Sequence, residues 1–157
     1  KAVVDLGASL AALRRQFAAA HEPELALVAG LHQAQYLGPW WLRRGGPLGV
    51  ALLGMPGWAG KRFAGAEPGA RADALEGCNL RRAGGQLVAS LPMTARVEGS
   101  VTDGRRAIVA TYPPDAPWPW RSVRDELRPV AADTLLCLSF GFPLLSGGLP
   151  FLLIRRA

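Results

Sequence analysis

The sequence predicts a mainly β fold: an antiparallel sandwich or barrel of about eight to ten short strands, with an N-terminal helix and a short helical lid. Three observations predict it. Short apolar segments recur after residue 57, separated by turn signals every ~8–12 residues. Glycine and proline, 19 and 13 of 157 residues, are spread along the chain and imply many turns. Between two of the apolar segments stands Thr102-Asp103-Gly104-Arg105, whose Asp-Gly pair is a strong hairpin signal.

Residues 9–20 read as a helix: Ser9 is a good N-cap, Leu10, Leu13 and Phe17 recur on one face, and Pro23 ends the segment. Such a helix packs on, or plugs, a sheet. Residues 28–37 can be a strand, with His32, Gln33, Gln35 and Tyr36 in an apolar frame. Over 39–53, Pro39 and Pro47 each stand where a short helix can begin, and two short apolar helices there would make a lid. Further strands are expected over 58–63, 77–82, 86–91, 95–101, 106–112, 122–128, 134–140 and 149–155. Residues 134–154 are uncharged and long enough to span a bilayer. Gly141, Pro143, Ser146, Gly147, Gly148 and Pro150 interrupt them, so two strands around a Gly-rich turn are expected, with no integral membrane segment. Pro113-Pro114-Asp115-Ala116-Pro117-Trp118-Pro119-Trp120 reads as a rigid loop whose two tryptophans cover one end of the fold. No linker divides the chain, so residues 1–157 read as one domain, large enough to bury a core without staples.

Apolar residues make up 50% and charged residues 19%, which excludes a disordered, solvating chain. The net charge of +6 comes as scattered doublets such as Arg14–Arg15 and Arg81–Arg82, not as a basic face, so no nucleic-acid partner is expected. Cys78 and Cys137 form neither a CxxC nor a Cys/His cluster. That pattern argues against zinc and for reduced thiols in a cytoplasmic setting. Lys1 to Asp5 lack the apolar stretch of a signal peptide. No nucleophile elbow, HExxH, P-loop or dinucleotide fingerprint occurs, so neither metal nor cofactor is expected.

By Gly57-Trp58-Ala59-Gly60-Lys61-Arg62-Phe63 the chain resembles the bacterial GXWXG-type domains, grouped loosely with lipocalin-like (calycin) barrels. Met93, Arg96 and Val97 are similar to one strand of that family. Asp125, Leu127 and Arg128 are similar to its Asp-x-aromatic-Arg strand, with leucine in the aromatic place. Asp133-Thr134-Leu135-Leu136 resembles its Asp-Thr hairpin return, and Pro150-Phe151 through Arg155-Arg156 its closing strand. The likeness covers about residues 57–156. The early region Leu37-Gly38-Pro39-Trp40-Trp41 departs from the family pattern by lacking a second glycine. The resemblance implies a lipocalin-like antiparallel barrel with an apolar cavity; it implies no chemistry. A haem barrel would need a well-placed histidine, and His21 and His32 both fall early.

The expected function is binding of an apolar or lipid-like small molecule in the barrel, by a monomer or homodimer. The alternative is a small barrel cyclase or isomerase acting on an unsaturated ketone or polyketide-type substrate, since such reactions need mainly shape, dryness and one or two polar groups. Polar residues on apolar strands, together with the lid tryptophans, make the candidate ligand-binding set: His32, Gln35, Tyr36, Trp40, Trp41, Lys61, Arg96, Tyr112 and Asp125. No residue is assigned to catalysis; were the protein an enzyme, His32 and Tyr36 would carry it, His32 because its ordinary pKa suits proton transfer near neutrality. The competing structural reading of these polar groups is an outward, solvated face or a buried pair such as Arg96 with Asp125. Trp58, between Gly57 and Gly60, is expected to be buried at a barrel end. The cavity is expected between residues 39–53 and the strands bearing His32, Tyr36, Tyr112 and Asp125.

Overall fold

The computed structural model describes residues 4–65, 73–142 and 147–156. Eight antiparallel strands follow one another in chain order and close into a barrel. They are β1 (Gly30–Tyr36), β2 (Trp58–Phe63), β3 (Leu75–Ala83), β4 (Gln86–Gly99), β5 (Arg106–Thr111), β6 (Arg124–Ala131), β7 (Thr134–Phe140) and β8 (Leu149–Arg156). Closure comes from β1 lying against β8, with Leu31 opposite Arg156 and Tyr36 opposite Phe151, so the ring has no unpaired edge. Among the described residues two α-helices accompany the barrel, α1 (Leu10–Ala19) and α2 (Trp40–Leu52). Among the described residues no helix is long and apolar enough to cross a membrane.

Nine expected strands become eight because segments 86–91 and 95–101 are one strand, β4. Pro92 cannot donate to a ladder, and the chain absorbs it in a bulge instead of a break. Pro92 faces Cys78 and Ser90 faces Asn79; Leu91, left over between them, takes a φ of 49°. The expected pair of lid helices is likewise one helix with Pro47 inside it. The hydrogen bond that Pro47 forfeits is offset by burying the helix's inner face on the barrel end. Asp103-Gly104 does turn the chain between β4 and β5, with Gly104 at φ 74° and its N–H donating to the Ser100 carbonyl at 2.9 Å. In the connection from β7 to β8, Pro143 and Ser146 lie outside the described residues. Both cysteines are free thiols.

α1 begins as expected, with the Ser9 hydroxyl accepting from the Ala12 N–H at 3.1 Å. It plugs nothing. It lies along the outer wall, where Leu13 and Phe17 pack against Leu37, Leu136, Leu138 and Leu152. The inner core is separate and holds Phe63, Leu75, Ile108, Leu127, Leu135 and Leu153. Strand parity explains the division: Leu135 and Cys137 point inward, Leu136 and Leu138 outward. A 3-10 turn at Leu25–Val28 closes one end of the barrel by burying Val28 in that inner core.

The start of β2 is irregular, and this decides what faces the interior. The β2–β3 register shifts between Trp58 and Gly60. In a regular strand Trp58 and Lys61, three positions apart, would face opposite sides. The bulge turns both inward. It depends on Gly60: a Cβ there would stand 2.0 Å from the His32 carbonyl oxygen, a backbone atom that cannot retreat without losing β1. Gly60→Ala is therefore expected to cost at least the ~1–3 kcal/mol typical of overpacking. Urea unfolding followed by tryptophan fluorescence checks it, and a loss under ~0.5 kcal/mol would contradict the bulge geometry.

Candidate functional site

At the end opposite the 3-10 turn, the barrel interior is not filled by its own side chains. A cavity of about 330 Å³ lies there, beneath α2. The lid contributes Trp41, Leu42, Gly45, Gly46, Gly49 and Val50, positions that recur on one helical face. Its glycines shape the space differently. A Cβ on Gly46 would touch the Tyr36 ring at 2.9 Å, so that glycine lets the helix lie close. Cβ atoms on Gly45 or Gly49 would meet nothing within 4 Å, so the side chains missing there are part of the cavity. The outer face of α2 leaves Trp40 67% exposed.

The walls are mostly aromatic. Trp58 stands edge-on to Tyr36 and Phe151, with ring centroids 5.8 and 5.2 Å away. It is half-buried and lines the cavity, which corrects the expectation of full burial. Trp120 is buried, pins α2 by donating its indole N–H to the Leu53 carbonyl at 2.8 Å, and packs on Phe142. Trp118 is 58% exposed, so one tryptophan of the proline-rich loop covers the barrel end, not two.

Five polar side chains interrupt this apolar wall: Tyr36 beside the lid, and Lys61, Tyr112, Asp125 and Ser139. Lys61 is on β2 and Asp125 on β6, strands four places apart in a ring of eight, so they stand on opposite walls. The lysine reaches across to place Nζ 2.9 Å from Asp125 Oδ2. Nζ also donates to Asn79 Oδ1 at 2.8 Å and lies 3.3 Å from the Tyr112 hydroxyl. The other Asp125 oxygen accepts from the Ser139 hydroxyl. Asn79, opposite Lys61 in the β2–β3 ladder, donates Nδ2 to the Tyr112 oxygen at 2.6 Å and accepts from Trp58 Nε1 at 3.0 Å. Burial alone would drive Lys61 to its neutral amine; the Asp125 carboxylate reverses this and holds its pKa above the ordinary lysine value. Burial pushes the Tyr112 phenol up as well. At neutral pH the cluster is an ammonium–carboxylate pair with a neutral phenol beside it.

No family model matches this chain, and no curated protein does. One solved structure, "Crystal structure of protein from Thermomonospora curvata", is similar over 96% of this chain and 90% of that one, with a TM-score of 0.68 and 21% identity. At that identity the likeness shows the fold: a small antiparallel barrel.

The structure brings five of the expected residues together at the cavity: Tyr36, Trp41, Lys61, Tyr112 and Asp125. It places the others elsewhere. Trp40 is on the outer face of the lid. Gln33 and Gln35 have the outward parity of β1, and Gln33 is held there by Arg156 at 2.7 Å. Arg96 is exposed on the outer face of β4, because Met93, Ala95 and Val97 are the inward residues. It cannot pair with Asp125, and Lys61 does so instead. His32 is buried but does not border this cavity. Its Nε2–H donates to the Val28 carbonyl at 2.8 Å, and burial lowers its pKa, so it is a neutral imidazole tied to the closed end. Burial raises the half-buried Tyr36 phenol to about 12. Asn79 and Ser139 stand outside the ligand-binding set expected from sequence. The available signal was a polar residue at an inward position of an apolar strand, as in Leu135, Cys137, Ser139.

Proposed function

We propose that this barrel binds a small, predominantly apolar molecule in the cavity beneath α2, in contact with Tyr36, Trp41, Lys61, Tyr112 and Asp125. The supporting observation is the cavity itself: about 330 Å³ of aromatic-walled space, at the low end of the size range of small-molecule sites. Kinship with GXWXG-type domains is part of this reading and rests on Gly57-Trp58-Ala59-Gly60. A second reading, isomerisation or cyclisation of an unsaturated ketone or polyketide-type substrate, is favoured by the phenol and carboxylate that meet at the same cavity. In it Tyr36 is at the rim and His32 is too far into the closed end to take part.

A fluorescent fatty acid or similar apolar probe is expected to bind in the micromolar range. Gly49→Leu puts a side chain into open cavity space and removes a helix-interior glycine. It should weaken the probe at least about tenfold while raising stability by up to ~1 kcal/mol. Unchanged probe affinity in a folded Gly49→Leu protein would move the binding site away from this cavity.

A further inference from the structure

We infer that the molecule bound in this cavity is a neutral carbonyl compound, such as a ketone, ester or amide, whose oxygen accepts a hydrogen bond from Tyr112, and not a carboxylate. The inference deepens the cavity-binding reading above and rests on it.

The argument begins with Asn79, whose amide can be assigned from its partners. Trp58 Nε1 and Lys61 Nζ can only donate, and both lie within 3.0 Å of the same Asn79 atom, which must therefore be the oxygen. The amide NH2 then faces the Tyr112 hydroxyl at 2.6 Å and donates to it. Lys61 Nζ, 3.3 Å away, is the second donor toward that oxygen. A phenol oxygen accepting two hydrogen bonds has one function left, to donate its own proton. Among the described residues no acceptor takes that proton, and Tyr112 borders the cavity.

The charges decide what kind of acceptor fits. Lys61 Nζ is already surrounded by acceptors, Asp125, Asn79 and Tyr112 with Met93 Sδ at 3.9 Å, so its three protons are engaged and none is left to offer an anion. Each Asp125 oxygen already has a donor, and its negative charge is compensated by Lys61 within the pair. A ligand carboxylate would bring a second negative charge beside Asp125 into an apolar-walled space where, among the described residues, no unengaged cation borders the cavity. A neutral carbonyl uses the Tyr112 proton and adds no charge. Its apolar body has Trp58, Trp120, Phe142 and Phe151 to lie against. Tyr36, the other phenol at the cavity, is half-buried beside the lid, where water can serve its hydroxyl.

The test uses three probes built on one naphthalene body: an acyl(dimethylamino)naphthalene ketone, its carboxylate counterpart and its alkyl counterpart. In the wild-type protein the ketone should bind most tightly, with the red-shifted emission of a hydrogen-bonded carbonyl. Tyr112→Phe should weaken the ketone about 5–10-fold, the worth of one hydrogen bond, abolish the red shift and change alkyl binding less than about twofold. Tyr36→Phe removes the other phenol of the cavity wall; whatever it does to affinity, the bound ketone should keep its red-shifted emission. The inference is overturned if the carboxylate binds as tightly as the ketone, if Tyr112→Phe weakens ketone and alkyl probes alike, or if Tyr36→Phe removes the shift. Should Tyr112→Phe fail to fold, the order of the three wild-type affinities and the ketone's emission decide. If none of the three binds the wild-type protein, the cavity-binding reading fails, and this inference falls with it.

Discussion

Asp125→Ala is expected to destabilise the protein by about 3–5 kcal/mol, the range found when one partner of a buried ion pair is removed. Lys61 is 2% exposed and Asp125 the same, so neither charge has water to fall back on. In the wild-type protein the raised Lys61 pKa is a stabilising term. It is fully present below the ordinary value of 10.5 and is lost as pH rises from there through the higher folded value. Removing Asp125 inverts this. Burial then pulls the Lys61 pKa below 10.5, the unfolded chain binds the extra proton, and stability falls as pH is lowered. Urea unfolding of wild type and variant between pH 6 and 10 should give curves diverging toward the acid side (the range is about that of ordinary buffers). The double variant Lys61→Met, Asp125→Leu should recover most of the loss, because well-packed apolar residues often replace a buried pair without cost. A double variant as unstable as Asp125→Ala would mean that the damage comes from repacking, not from a stranded charge.

Arg128→Ala is expected to cost about 2–5 kcal/mol, the range for truncating a large buried side chain, and to release α1 from the barrel wall. The Arg128 guanidinium is fully buried on the outer face of β6. It grips both Asp103 oxygens at 2.7 Å and donates to the carbonyls of Phe17, Arg105 and Arg106 at 3.1, 3.0 and 3.1 Å. Its plane stands 4.5 Å from the Phe17 ring centroid. One side chain thus ties the end of α1 to the β4–β5 turn, and truncation leaves a carboxylate and three carbonyls short of donors. Arg128→Lys should rescue little, since an ammonium cannot reproduce the bidentate fork. The Arg128 hydrogen bonds hold the Asp103 pKa at about 2, below its usual 3.8. This contribution is present above pH 3.8 and is lost as pH falls from there through about 2. Asp103→Asn should lack that acid-side loss. Amide exchange in α1 is the direct readout for Arg128→Ala: protection of Leu13 and Phe17 should drop much more than that of β7. Equal loss in both would mean that α1 and the barrel unfold as one unit.

Much of the barrel was legible in local sequence. Segments 58–63 and 134–140 are strands with the expected bounds, and the Asp103-Gly104 turn stands where its dipeptide indicates. These features depend on period-two alternation and on glycine's tolerance of positive φ, both of which act within a few residues. The errors arose where a breaker was absorbed by tertiary pairing. Pro92 sits in a bulge because Cys78 and Asn79 hold both flanks of β4 in the ladder. Pro47 stays inside one helix because the barrel end gives that helix a face to bury.

The candidate site was legible as a set of residue types, not as a constellation. Lys61, Tyr112 and Asp125 could be singled out because charged or hydroxyl groups on apolar strands demand a partner. Parity could have removed Gln35 and Arg96, whose sequence neighbours mark them as outward. No local signal could have joined Lys61 to Asp125, because strands on opposite walls meet only after the ring has closed. Nor could local pattern show that His32 and Tyr36, on the same face of β1, would part company, one bound to the 3-10 turn and the other beneath the lid. Strands, their turns and an apolar lid segment could be read from the residues alone, because they follow from short-range periodicity and backbone preference. Three features emerge only in the closed barrel: the ring has eight members, the helix at 10–19 packs outside it, and a charge pair spans the interior at a cavity. Those outcomes depend on which distant surfaces bury one another, and that is set by closure of the whole sheet.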